Sequence, residues 1–246
     1  MTLQHYALNT IAFKNLMDAG TPQVDLIQKT KDLGFNTIEI RNEFLTDDPD
    51  EFSEIGTAAK NAGIEVFFSV NDQVIENGEI NPKIAEYIKQ MREMGSDFLK
   101  MNVGDFSTFD GNWDLLAQLY DGSFHFNVEN NQTLSHASIK NISDFLSQVN
   151  EQGIPMTFAF DIANWAFVSE DVEKAVPVFE KYTTYLHLKN YAQNREALSV
   201  TSLEEGLLDW RQIAKEFTNI TDMALEYPNA SDDQLVTDLG NVVSLL

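Results

Sequence analysis

Three carboxylic acids and one imidazole, Glu129, Asp161, His187 and Glu226, stand at or next to the ends of short apolar runs in residues 124–129, 156–161, 185–189 and 223–226. Turn-forming or polar residues follow each run. Such groups, presented from the ends of successive apolar segments, make a donor set for a divalent cation, and the chain has no cysteine to supply a softer ligand. Oxygen and imidazole donors favour manganese, cobalt, magnesium or zinc. Crowded carboxylates also raise one another's pKa values unless a cation compensates them, which is a second reason to expect an ion among these four.

Strands must carry these residues, and eight short apolar segments qualify, near residues 4–9, 36–41, 64–70, 97–103, 124–129, 156–161, 184–189 and 223–226. Helix-like stretches separate most of them. The stretch 21–34 has Thr21 as a candidate N-cap, Pro22 as a first helical residue and Gly34 as its stop. Similar stretches lie at 48–63, 81–95, 135–153, 169–182, 207–217 and 231–245, while 105–122 holds only a short helical pattern, so the fourth β/α unit is expected to be abbreviated. Strand and helix in repeated alternation predict a parallel α/β fold.

Face alternation chooses between an open sheet and a barrel, because a doubly wound sheet buries both strand faces in apolar contacts. Here Ile38 and Ile40 oppose Glu39 and Arg41; Leu99, Met101 and Val103 oppose Lys100 and Asn102; Phe126 and Val128 oppose Asn127 and Glu129. One face is apolar for helices to cover, and the other carries polar groups towards the C-terminal ends. That pattern predicts a (β/α)8 TIM barrel, a fold of about 250 residues with its chemistry at the C-terminal mouth. The 246 residues, with no proline-rich linker or charge block, read as one domain over 1–246. Arg41 is expected to pair with Glu39 as a buried structural ion pair.

Sixteen basic against 39 acidic residues give a net charge of −23, which repels phosphate backbones and anionic membrane surfaces. No nucleic-acid or membrane partner is therefore expected. The N-terminus lacks a basic segment followed by an apolar stretch, and a cytoplasmic location is expected.

Several fragments, residues 34–41, 128–130, 160–164, 187–190, 205–210 and 225–227, resemble in order and position the xylose isomerase-like barrel superfamily of sugar isomerases, ketose 3-epimerases, inosose and dehydroshikimate dehydratases, and endonuclease IV. The resemblance implies that Glu129, Asp161, His187 and Glu226 bind one divalent ion, and that Glu129 and Glu226 act as acid and base on opposite faces of a small carbohydrate. It leaves room for a homodimer. Two positions depart from the ketose 3-epimerase pattern: Asn164 stands where a histidine is usual, and Gln193 where an arginine is usual.

Substrate contacts are expected from Lys100, Lys189 and Arg195 among the cations, and from Asn164 and Trp165 after the sixth strand, with Phe167 and Tyr191 completing an apolar wall. No glycine-rich phosphate cradle follows the last strands, so an unphosphorylated sugar or keto-sugar is the expected substrate, with a metal-dependent isomerase or epimerase as the reading. A dehydratase of an inosose or dehydroshikimate-like compound is the alternative on the same site, with a lysine as general acid. A sugar-binding barrel without catalysis is the alternative from another class. Endonuclease activity is disfavoured by the acidic balance, by only four histidines and by Asn164.

Overall fold

Alternation along the strands sorts the side chains into two layers, and the strand register closes the inner one. The computed structural model describes residues 3–46, 48–134, 136–195 and 197–245. Its strands are β1 (His5–Asn9), β2 (Thr37–Arg41), β3 (Glu65–Glu76), β4 (Glu79–Ile80), β5 (Phe98–Gly104), β6 (His125–Glu129), β7 (Thr157–Asp161), β8 (Thr183–Leu188), β9 (Asn190–Asn194), β10 (Ala197–Thr201) and β11 (Asp222–Leu225). Eight of them pair in parallel around a ring, β1, β2, β3, β5, β6, β7, β8 and β11, and β11 returns to β1. This is a closed (β/α)8 barrel, with helices Gln23–Asp32, Glu51–Ala62, Ile84–Glu93, Ile139–Glu151, Val172–Phe179, Trp210–Lys215 and Asp232–Val243 on its outside. The fourth crossover holds one short α-helix, Asp114–Leu119, after a 3-10 turn at Phe106–Thr108, as its short apolar pattern predicts.

Outward strand residues such as Ile38, Ile40, Leu99, Met101, Phe126, Val128, Phe158 and Phe160 are buried under the helices in one large cluster. Inward residues Ala7, Phe67, Phe98, Ala159, Tyr185 and Ala224 form a second, smaller one. Alanines on three strands leave the volume that three rings on three others fill. Phe67 and Phe98 stack with centroids 3.8 Å apart, and Tyr185 meets them edge-on at 5.5 and 5.2 Å. The lower barrel is thereby plugged with aromatic rings, and the charged residues lie above it.

Three local features differ from the sequence expectation. β3 runs on past residue 70, through a register irregularity between Ser69 and Gln73, to pair antiparallel with β4. Asn77 and Gly78, at φ 54° and 84°, make the tight turn that Asn-Gly favours because neither residue is strained with positive φ. Outside the eight apolar segments, Asn190–Asn194 and Ala197–Thr201 pair as the antiparallel β9–β10 hairpin. The first long helix begins at Gln23 with Pro22 as its N-cap and no side-chain cap, so Thr21 does not serve there.

At the N-terminal end of the barrel the His5 Nδ1 lies 2.5 Å from Asp222 Oδ1, and Thr221 Oγ1 donates to the other carboxylate oxygen at 2.8 Å. The hydrogen bond to Asp222 holds the imidazole above its ordinary pKa against the opposing effect of burial, with Asp222, Glu65 and Asp97 adding attraction. A raised folded-state pKa stabilises the fold fully below the unfolded value of about 6.5 and is lost as pH rises through the folded value. Melting curves between about pH 6 and pH 9 should therefore show a decline in the wild type that is shallower in His5→Phe; equal slopes would mean that the pair contributes nothing.

Candidate metal and active site

Strand ends of a closed barrel converge, so residues far apart in sequence meet above the aromatic plug. β1 brings Asn9, β2 brings Glu39 and Arg41, β5 Lys100, β6 Glu129, β7 Asp161 and β8 His187; Lys189 and Glu226 directly follow β8 and β11. All are buried except Glu129 and Arg41, which are half-buried.

Glu39 is the most enclosed carboxylate. Its Oε1 accepts from Asn9 Nδ2 at 2.9 Å and lies 2.8 Å from Lys100 Nζ, while its Oε2 accepts from the Tyr185 hydroxyl and lies 3.0 Å from His187 Nε2. Lys100 bridges onward to Glu129 Oε2 at 2.6 Å. Glu226 faces the opposite side of the imidazole: its Oε1 accepts from Arg41 at 2.9 Å and Asn9 at 3.1 Å, and its Oε2 lies 2.9 Å from Lys189 Nζ and 3.2 Å from His187 Nδ1. Glu129 Oε2 is 3.7 Å from the same Nδ1. Asp161 accepts the backbone N–H groups of Ala163 and Asn164 at Oδ1, at 2.9 and 2.8 Å, and turns Oδ2 to Lys189 at 2.7 Å. The structure thus brings Glu129, Asp161, His187 and Glu226 into one cluster and adds Glu39, Asn9 and Arg41. Arg41 does not pair with Glu39; it reaches Glu226 and Glu43, because Lys100, Asn9 and Tyr185 already occupy Glu39.

Burial would raise every acid here, and the neighbours decide which resist. Glu226, surrounded by Lys189, His187 and Lys100, is held well below the usual carboxylate range despite burial. Glu39 is held low in the same way, by His187 and Lys100. Asp161 has only Lys189 as a close cation, and burial wins: its carboxyl is pushed up to about 6. For His187 burial pulls downward, but Glu39 and Glu226 outweigh it and carry the ring to about 9. Lys100 and Lys189 are held above the ordinary lysine value by the carboxylates they bridge, although burial opposes this.

Two observations fit a cation. With His187 counted neutral, as a metal-binding imidazole must be, Glu39, Glu129, Asp161 and Glu226, with Glu43 beside Arg41, outnumber Arg41, Lys100 and Lys189 by two, the charge of one divalent ion. In addition, Asp161 Oδ2 and both His187 nitrogens are buried without an aligned hydrogen-bond partner, although charged groups lie close. Glu39, His187 and Glu226 each offer a ligand atom within 4.8 Å of the others, a group that can hold a metal.

No family model matches the chain, and no curated protein sequence matches it. Solved structures do. A probable 3-DHS dehydratase, AsbF, involved in petrobactin synthesis in Bacillus anthracis, superposes with a TM-score of 0.71 at 14% identity over 98% of this chain and 99% of that one. A xylose isomerase-like TIM barrel protein from Mycobacterium smegmatis, solved in complex with magnesium, gives 0.68 at 14% identity over 98% and 96%. D-psicose 3-epimerase from Clostridium cellulolyticum H10 gives 0.63 at 12% identity over 98% and 97%. The chain shares the TIM-barrel fold of these three proteins.

Within this barrel several expected substrate contacts lie elsewhere. Trp165 is fully buried, stacked on Phe179 at 5.5 Å and tilted against Phe160 at 5.4 Å, because the short helix Asn164–Phe167 turns it into the outer layer. It does not line the mouth. Asn164 is buried as a tie between loops, donating to Asn130 O and accepting from Gln132. Arg195 sits exposed at the turn of the β9–β10 hairpin with φ 59°. Tyr191 and Gln193 line a cavity of about 570 Å³ with Ile162, Ala166, Leu198 and Leu208, which none of the buried charged residues touches. Gly206 serves the hairpin's foot: a Cβ there would lie 2.0 Å from Asn190, whose amide binds Leu203 O and Leu208 O. Since the Trp165 indole N–H has no acceptor, Trp165→Phe forfeits only packing; a loss of about 1–3 kcal/mol in denaturant unfolding is expected, with KM unchanged for any substrate found. A raised KM at unaltered stability would restore Trp165 to the substrate wall.

Proposed function

We propose that the chain is a divalent-metal-dependent isomerase or epimerase of a small unphosphorylated sugar or keto-sugar. One observation carries this reading: two glutamates, Glu226 and Glu129, flank the same imidazole nitrogen at 3.2 and 3.7 Å, at the open end of a barrel whose floor is closed. Glu129, Asp161, His187 and Glu226 would hold the ion, which when bound polarises the substrate's carbonyl and adjacent hydroxyl and acidifies the neighbouring C–H.

The chain's own groups then divide the work. Glu226, kept ionised by Lys189, His187 and Lys100, is suited to take the carbon-bound proton and leave an enediolate. Glu129, half-buried on β6, is suited to return a proton from the other side, as epimerisation requires. Asn9 and Arg41 fix Glu226 through its second oxygen, and Lys100 fixes Glu129.

The dehydratase reading has one observation of its own, the likeness to the probable 3-DHS dehydratase. It needs a general acid for the departing hydroxyl, and the two lysines placed for that are held above the ordinary lysine value by paired carboxylates, which makes them reluctant proton donors. Isomerisation is therefore preferred. The test is a panel of aldoses and ketoses with manganese, cobalt or magnesium, followed by chromatography, with an inosose and dehydroshikimate watched by ultraviolet absorbance. Interconversion without an absorbance rise is expected; growth of a conjugated enone alone would establish the lyase, and inactivity of protein shown to contain metal would remove both.

A further inference from the structure

We infer that Glu39 is a positioning residue for His187 rather than a ligand: it accepts a hydrogen bond from Nε2–H and thereby presents Nδ1 to Glu129, Asp161 and Glu226. The inference rests on the metal reading of the same site and deepens it. Proximity alone would place Glu39, His187 and Glu226 around one ion. The two carboxylates, however, address different nitrogens of the ring. Glu39 Oε2 lies 3.0 Å from Nε2, while Glu226 Oε2 and Glu129 Oε2 lie 3.2 and 3.7 Å from Nδ1. An ion bound at one nitrogen cannot share that side with the carboxylate behind the other.

Glu39 also has few lone pairs to spare. Asn9 and Lys100 occupy Oε1 and the Tyr185 hydroxyl donates to Oε2, which leaves room for one further donor, and Nε2 stands 3.0 Å away. Glu226, by contrast, keeps Oε2 turned to the centre with Lys189, and Asp161 Oδ2 points there as well. Tyr185 stands perpendicular to the His187 ring at 4.7 Å, edge-locking the imidazole in the plane that Glu39 demands. Carboxylates behind a metal-binding histidine fix its tautomer and raise its basicity, and their replacement commonly weakens metal affinity about 10–100-fold.

The experiment has two arms on the intact chain. Zinc and manganese titrations compare wild type, Glu39→Gln and Tyr185→Phe, each corrected for its folded fraction. Nitrogen-15 spectra of the wild type with zinc bound, assigned against His187→Gln, report which ring nitrogen carries the proton. We expect about a 10–100-fold weaker metal affinity in Glu39→Gln, a smaller loss in Tyr185→Phe, and a proton on Nε2 in the zinc form. A proton on Nδ1, or equal affinities for wild type and Glu39→Gln, would overturn the assignment of Glu39 while leaving the metal site standing. Should Glu39→Gln not fold, the wild-type spectrum still decides. If the wild type binds neither ion, the metal reading falls and the assignment with it. A purely structural Glu39 would lower stability and move neither the affinity of the folded protein nor the proton.

Discussion

Glu226→Gln should reduce turnover by about 10²–10⁴-fold, the range that a positioned acid or base contributes. The substitution keeps the shape of the side chain and its place above β11 but removes the charge that four groups converge on: Arg41 and Asn9 at one oxygen, Lys189 and His187 at the other. Metal content needs measuring alongside the rate, because loss of a ligand and loss of a base lower turnover together. A variant that retains its ion at saturating concentration and still fails to turn over isolates the proton-transfer role. Glu129→Gln then separates the two isomerase chemistries. An epimerase, which removes a proton on one face and returns it on the other, should suffer from both replacements, whereas a one-face isomerase should tolerate one of them within about tenfold. Activity of metal-loaded Glu226→Gln within a few-fold of wild type would dismiss Glu226 as the base.

Lys100→Met should destabilise the barrel by about 3–5 kcal/mol, the usual consequence of stripping one partner from a buried charged pair. The ammonium has no exposure and bridges Glu39 at 2.8 Å to Glu129 at 2.6 Å, so its removal strands negative charge beside the negative charge of Glu226. Methionine matches the chain in bulk, which confines the change to electrostatics. Denaturant titration measures the loss directly. Pairing the change with Glu39→Gln should return part of it, since the stranded charge is then absent, and the non-additivity measures the coupling between the two side chains. A difference below about 1 kcal/mol would mean that water reaches this layer and screens it.

How much of this was legible in the chain depends on the distance over which each feature is encoded. Alternation at Ile38 to Arg41 and Leu99 to Asn102 is local, and it announced which groups face the barrel interior. The short pattern around Leu116 announced the reduced fourth crossover for the same reason. The partners of inward groups are not local. Glu39 and Arg41 lie two apart on β2 and invite pairing, yet closure of the sheet places Lys100 of β5 and His187 of β8 against Glu39 and sends Arg41 across to Glu226. Trp165 misleads for a different reason. Its position just after Asp161 suggests the mouth, but a single helical turn rotates it into the outer layer against Phe179. The Asn77–Gly78 hairpin carried its own local signal, whereas residues 190–201 have few β-branched residues to mark β9 and β10 as strands.

The stacked Phe67 and Phe98 with Tyr185 across them have a consequence for traffic. Closed beneath by aromatic rings, the charged layer is not reached from below through the described residues. On the proposed metal reading, an ion held at His187 would lie deeper than a substrate arriving after it, so order of entry would dictate order of exit: the last molecule in would be the first out.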